Sequence, residues 1–272
     1  MYKLIALDMD GTLLDSHKEI LASSQEAMKR AHDAGKYVCL STGRGFAELV
    51  DYKEIFPYLS YGVMISGGLV MDLKSHEVIY KKAMTKDQML KIREVASRDD
   101  IMVHILTAQE SMTAKSQEEH MDRYFMSIYQ NMFDRVCTFM EDPILKVSER
   151  DDICKINLYH KTPEKRQETY ELLKDGPFAV AFAEETSLEI TPLNVTKGAG
   201  LKALCAHLGL DLKETIAVGD APNDENVLQT AGLSIAMGNA SKEIKDICDV
   251  TVKDNDHGGI AQAIDQYLLG EK

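Results

Sequence analysis

Two aspartates two residues apart, Asp8 and Asp10, end the apolar run Leu4-Ile5-Ala6-Leu7 and lead into Gly11-Thr12. Carboxylates leaving a buried strand are costly unless positive charge sits between them. A hard dication held by oxygens is the natural partner. Gly11 lets the backbone turn sharply and come near a ligand. An Asp-x-Asp pair alone also fits a solvated turn.

Three further stretches carry related chemistry. Ser41-Thr42-Gly43-Arg44 places hydroxyls and main-chain N–H groups where a strand gives way to a helix, which suits a phosphate oxygen or an ordinary helix cap. Arg44 suits an anion clamp or a solvated surface charge. Val218-Gly219-Asp220-Ala221-Pro222-Asn223-Asp224 is the more specific string. Asp220 follows a strand and can face the first acid pair across neighbouring strands. Asp224 lies in the next turn, where it can orient a metal-bound water or Lys197, or cap a helix. Lys197 stands at the start of a helix, where a cation opposes the helix dipole. Binding an anion relieves that conflict. Acid pair, hydroxyl, lysine and second acid cluster each arrive at the C-terminal end of a strand, the edge where open α/β sheets bind ligands.

The elements that must position them alternate. Short apolar strands are predicted at 3–7, 37–40, 63–66, 215–218, 233–236 and 250–252. Helices are predicted at 21–34, 46–55, 197–208, 223–230, 242–247 and 260–268. This rhythm calls for a doubly wound, Rossmann-like α/β core with a parallel sheet. The middle differs. Helices are predicted from a Thr85-x-x-Gln88 capping box to residue 98, at 120–133, and at 163–174 behind Pro163. Strands are predicted at 102–106, 154–159 and 179–183. Residues 1–83 and 191–272 therefore form one core, split by an inserted α+β cap domain at 84–190.

Composition bounds the function class. The chain has 272 residues, 44% hydrophobic and 28% charged, a globular mix. Its 31 Lys and Arg against 44 Asp and Glu give a net charge of −13, which argues against non-specific binding to nucleic acid or anionic membrane. No run approaches the ~18 apolar residues of a membrane span. Five scattered cysteines without a Cys-x-x-Cys give no zinc framework and suit a reducing cytosol. The expected setting is cytoplasmic, and oligomeric state is not readable.

With these motifs in order, the sequence resembles the haloacid dehalogenase superfamily. Asp8-Met9-Asp10-Gly11-Thr12-Leu13-Leu14 is similar to its nucleophile motif. Thr42, Lys197 and Gly219-Asp220-Ala221-Pro222-Asn223-Asp224 match the other three. The insertion resembles the type IIB cap of Cof-like hydrolases, and Ala236-Met237-Gly238-Asn239-Ala240 resembles a run that follows the metal motif in many of them. Ser66-Gly67-Gly68 departs from the Asn-Gly-Ala common after the third strand.

The resemblance implies a Mg²⁺-dependent phosphatase for small phosphorylated metabolites, sugar phosphates above all. Asp8 would be the nucleophile, forming an aspartyl-phosphate, and Asp10 the general acid and base. Mg²⁺ would be held by the Asp8 carboxylate, the Asp10 main-chain carbonyl and Asp220. Thr42, Gly43, Lys197 and Asn223 would hold phosphate oxygens, with Asp224 behind them. Two other readings use the same residues: a receiver-like phospho-signalling module, and a phosphomutase of the same superfamily.

Overall fold

The computed structural model describes residues 1–271. It separates into two compact units. The first comprises Met1–Gly43, Tyr52–Tyr80 and residues 196–271; the second comprises Arg44–Asp51 and Lys81–Val195.

Along the chain, the first unit contributes strands β1 (Leu4–Leu7), β2 (Tyr37–Ser41), β3 (Tyr61–Met64), β4 (Leu69–Asp72) and β5 (Val78–Lys81). After the second unit's β6 to β11 come β12 (Thr215–Gly219), β13 (Leu233–Ala236) and β14 (Val250–Thr251). They form one sheet in the order β14-β13-β12-β1-β2-β3-β4-β5, with parallel pairing from β14 to β3 and an antiparallel β3–β4 pair. Every residue of β1 is buried. Strand alternation sends Leu4 and Ala6 to one face, where they join Leu201, Leu204, Val227 and Leu228. Ile5 and Leu7 face the other way and are fully buried there too. Burial on both faces explains why these strands read as unbroken apolar runs.

In the second unit, β6 (Met102–Thr107), β7 (Ser111–Ala114), β8 (Cys137–Met140), β9 (Ile153–Tyr159), β10 (Phe178–Phe182) and β11 (Ser187–Pro192) form a sheet in the order β10-β11-β9-β6-β7-β8. All pairs are antiparallel except β7–β8. Val103, Ile105, Ile156, Leu158, Leu188 and Ile190 share one face and make a core with Met89 and Ile92 of the helix Lys86–Ala96 and Leu173 of Pro163–Leu173. The Thr85–Gln88 capping box is formed. The opposite face is polar and buried. It carries His104, Lys155, Asn157 and Ser187.

Several expectations need correction. Residues 46–55 form no α-helix: Phe46–Tyr58 is a run of 3₁₀ turns, kinked at Tyr52 and containing Pro57. Pro57 cannot donate a helical hydrogen bond, and the residue before it is biased away from helix. The helix expected at 120–133 is broken into Met121–Tyr124, Ser127–Tyr129 and Gln130–Val136, because Phe125 sits at φ 60°. The third strand ends at Met64, since Ile65 and Ser66 turn into positive φ. Strands β4, β5, β7, β8 and β11 were not expected. Each has four to six residues, too few for a clear period.

Candidate active site

The register of the first sheet assembles the site. Leu7 pairs with Leu40 on one side and Val218 on the other. Asp8 is the next residue, and its N–H still donates to the Val218 carbonyl at 3.1 Å. Asp8, Ser41-Thr42 and Gly219-Asp220 therefore leave the sheet side by side.

Lys197 enters from the helix Lys197–Leu208, as its first residue. Thr196 caps that helix by accepting from the Ala199 N–H. Gly67 is what lets the helix start lie here: a Cβ on it, at φ +96°, would be 1.9 Å from the Thr196 carbonyl oxygen. Ser66 beside it has φ +55°, a conformation in which Asn is at home. In the Ser66-Gly67-Gly68 departure, the central glycine is thus the position that packing requires.

The Lys197 ammonium lies 2.6 Å from Asp8 Oδ1 and 2.6 Å from Asp224 Oδ1. The three side chains are 1%, 7% and 0% exposed, so the pairing is shielded from water. Asp224 Oδ2 accepts from the main-chain N–H groups of Asp220 and Ala221 at 3.1 and 3.3 Å. Both Asp224 oxygens are therefore engaged, and its work is to hold Lys197 and the Asp220 turn. Asp220 Oδ1 accepts from the Thr12 hydroxyl at 2.8 Å.

Electrostatics follow from this crowding. Burial raises the Asp8 carboxyl to about 7, and Asp224 and Asp220 push the same way against the pull of Lys197. Burial also raises Asp220, partly offset by the Thr12 hydrogen bond. Burial works against the Lys197 charge, but Asp8 and Asp224 together raise its pKa. Asp8, Asp220 and Asp224 offer oxygens that all lie within 4.8 Å of one another. With all three ionised, one ammonium leaves two negative charges unbalanced. The donor set is oxygen only, and with Asp224 engaged elsewhere, Asp8 and Asp220 are the carboxylates that fit a hard dication.

The other expected residues are placed as follows. Thr42 is buried at the end of β2; its N–H donates to Val63 and its carbonyl accepts from Ser66. Gly43 follows it, and Arg44 already belongs to the second unit. Asn223 is exposed in the short turn Pro222–Asp224. Asp10 is not part of the carboxylate group. Its half-exposed side chain pairs with Lys18 at 2.9 Å.

Sequence reasoning missed Thr12, Thr196 and Lys18. A Thr before a helix was a readable capping signal. The Thr12–Asp220 contact spans 208 residues and left none.

Comparison with known proteins places the chain. The model of the haloacid dehalogenase-like hydrolase family matches residues 5–264. The chain is 29% identical over 270 residues to a phosphoglycolate phosphatase of Methanobrevibacter smithii, with 97% of this chain and 98% of that protein covered. It is 26% identical over 267 residues to a 5-amino-6-(5-phospho-D-ribitylamino)uracil phosphatase of Bacillus subtilis, covering 98% and 96%. A crystal structure of a haloacid dehalogenase-like hydrolase from Bacteroides thetaiotaomicron superposes with a TM-score of 0.86 at 25% identity, covering 98% and 99%. Among the described residues no helix is long and apolar enough to cross a membrane. An acid-rich sheet edge with a buried lysine, and likeness to phosphatases along nearly its whole length, lead to one assignment: the chain is an enzyme of the phosphatase type and belongs to the haloacid dehalogenase-like hydrolase family.

Proposed function

We propose that this chain is a Mg²⁺-dependent phosphatase that cleaves small phosphorylated metabolites through an aspartyl-phosphate on Asp8. The observation that carries the reading is the Lys197 ammonium held between Asp8 and Asp224, both at 2.6 Å. A carboxylate attacking a phosphate meets like charge, and a fixed buried cation on its own oxygen reduces that repulsion without reorganisation.

In this reading Asp8 forms a bond to phosphorus as the leaving alcohol departs. Asp10 protonates that alcohol, then takes a proton from the water that hydrolyses the acyl phosphate. Thr42, the Gly43 N–H, Lys197 and Asn223 hold phosphate oxygens. Asp8, Asp220 and the Asp10 carbonyl hold the cation, which supplies charge neutralisation at the phosphoryl oxygens. Asp224 keeps Lys197 in place.

The second unit serves as the cap that selects the leaving group. The polar, buried face of its sheet supports this role: Lys155 pairs with Glu189 at 3.0 Å, and Asn157 Oδ1 is buried without a partner. Donors and acceptors of that kind suit a hydroxyl-bearing group. The M. smithii and B. subtilis relatives are named for phosphate esters of small hydroxylated compounds. Sugar phosphates and related polyol phosphates are the proposed substrates, and the cytoplasm, with five free cysteines, the proposed setting.

The test is a panel of phosphorylated metabolites assayed for phosphate release with Mg²⁺ and with chelator, using Asp8→Asn as control. Release that needs Mg²⁺ and Asp8 supports the proposal. Release that persists in the variant, or conversion of a sugar phosphate to its isomer without release, would overturn it.

A further inference from the structure

The run Met237-Gly238-Asn239 is not used by the chemistry above, yet it touches the catalytic turn. Asn239 Nδ2 donates to the Gly11 carbonyl at 2.8 Å, and its Oδ1 accepts from the Asn255 N–H at 3.2 Å. Both partners are main-chain groups with a single role, so the orientation of the amide is settled by its neighbours. Asn239 is carried to this place by the sheet: it follows β13, and the Met237 N–H donates to the Gly219 carbonyl at 3.0 Å.

The same segment holds the rest of the turn. Asn255 Nδ2 donates to the Leu14 carbonyl at 2.9 Å, and Asp256 Oδ1 accepts from the Ser16 N–H at 2.8 Å. On its other side Gly11 lies so close to Asp220 that a Cβ would be 2.4 Å from Asp220 Oδ2. Gly11 is therefore crowded at its Cα by Asp220 and held at its carbonyl by Asn239, and the residue before it is Asp10.

Asn239 is exposed, and water can satisfy an exposed amide. Its hydrogen bonds therefore add little to stability, while they fix the direction of one peptide across 228 residues of sequence. We propose that Asn239 is a positioning residue for the reaction: by holding the Gly11 carbonyl it sets the direction in which Asp10 is presented to the leaving group. The inference rests on the role given to Asp10 under the proposed function.

The experiment compares two substrates by kcat/KM, which reports on steps up to phosphoryl transfer. A primary alkyl phosphate needs a proton from Asp10, whereas p-nitrophenyl phosphate has a leaving group that departs without one. Displacing a catalytic group by about 1 Å costs on the order of 100-fold. Asn239→Ala should therefore lose about 10- to 100-fold on the alkyl ester and under about 3-fold on the nitrophenyl ester. Its melting temperature should stay near that of the unsubstituted protein. Asn239→Asp keeps the acceptor for Asn255 but sets an oxygen against the Gly11 carbonyl, so it should show the same selective loss. Asp10→Asn is the control. If Asp10→Asn loses the alkyl ester selectively and Asn239→Ala loses both esters equally or neither, Asn239 does not position Asp10. If Asp10→Asn itself shows no such selectivity, the acid role of Asp10 is wrong and the inference falls with it.

Discussion

Lys197→Met removes the ammonium that lies between Asp8 and Asp224 while keeping the bulk of the side chain. Breaking a buried pair by deleting one partner costs about 3–5 kcal/mol, because the remaining charge is left uncompensated. Here the cost has two parts. One part is the loss of the contact that Lys197 makes with Asp224. Asp8 already titrates at about 7 with Lys197 beside it. Lys197 lowers that value, so the substitution raises it further. Below about pH 7 the carboxyl of Asp8 is protonated in both proteins, and it contributes no difference. Above pH 7 the unsubstituted protein ionises Asp8 and the variant does not, or does so at a cost. The stability gap should therefore widen by about 1.4 kcal/mol per pH unit until the variant's own Asp8 ionises. From a gap of about 3 kcal/mol at pH 6, a gap of about 5 kcal/mol is expected at pH 8.5. Urea unfolding of both proteins from pH 6 to 9, without divalent metal, measures it. The kcat/KM should fall by at least about 100-fold. A gap that stays flat across this range would show that Lys197 is held by packing and that its charge does not govern Asp8.

Two further outcomes follow from the same geometry. With Asp8 as the proposed ligand of Mg²⁺, binding would need its ionised form, so below pH 7 each ion bound should release one proton, and affinity should fall about tenfold per pH unit; calorimetry showing equal affinity at pH 7.5 and 5.5 would contradict the raised Asp8 value. Lys155→Met, in the second unit, removes the partner of Glu189 beside the unpartnered Asn157 Oδ1. It should change the ratio of kcat/KM between a polyol phosphate and a simple alkyl phosphate by about tenfold, the worth of one charge-assisted hydrogen bond, and leave Mg²⁺ affinity unchanged. An unchanged ratio would remove this face from substrate selection.

The site was legible where local chemistry and strand ends coincide. Asp8, Asp220 and Lys197 each stand at the edge of an apolar run or helix start; parallel pairing of β1 with β12 brings the two acids together, and Lys197 arrives from its helix. The contact of Asp224 with Lys197 was one of the readings its place in the next turn allowed, beside capping a helix. What escaped the sequence depends on long-range fit. Thr12 and Asn239 lie in stretches the sequence singles out, but their partners are more than 200 residues away and nothing local names them. The grouping of Arg44–Asp51 with the second unit is likewise a matter of tertiary contact. The broken helix after residue 120 was misread because its apolar spacing mimics a helix, whereas the left-handed Phe125 interrupts it. Short antiparallel strands such as β4 and β7 are too brief for alternation to stand out.

The most direct measurement is rapid quenching of the protein during turnover of a ³²P-labelled substrate, followed by peptide mapping of the acid-stable fraction after borohydride reduction. The expected result is label, or the reduced residue it leaves, at Asp8 alone, absent from Asp8→Asn. Label at any other side chain, or full turnover by Asp8→Asn, would contradict nucleophilic attack by this aspartate.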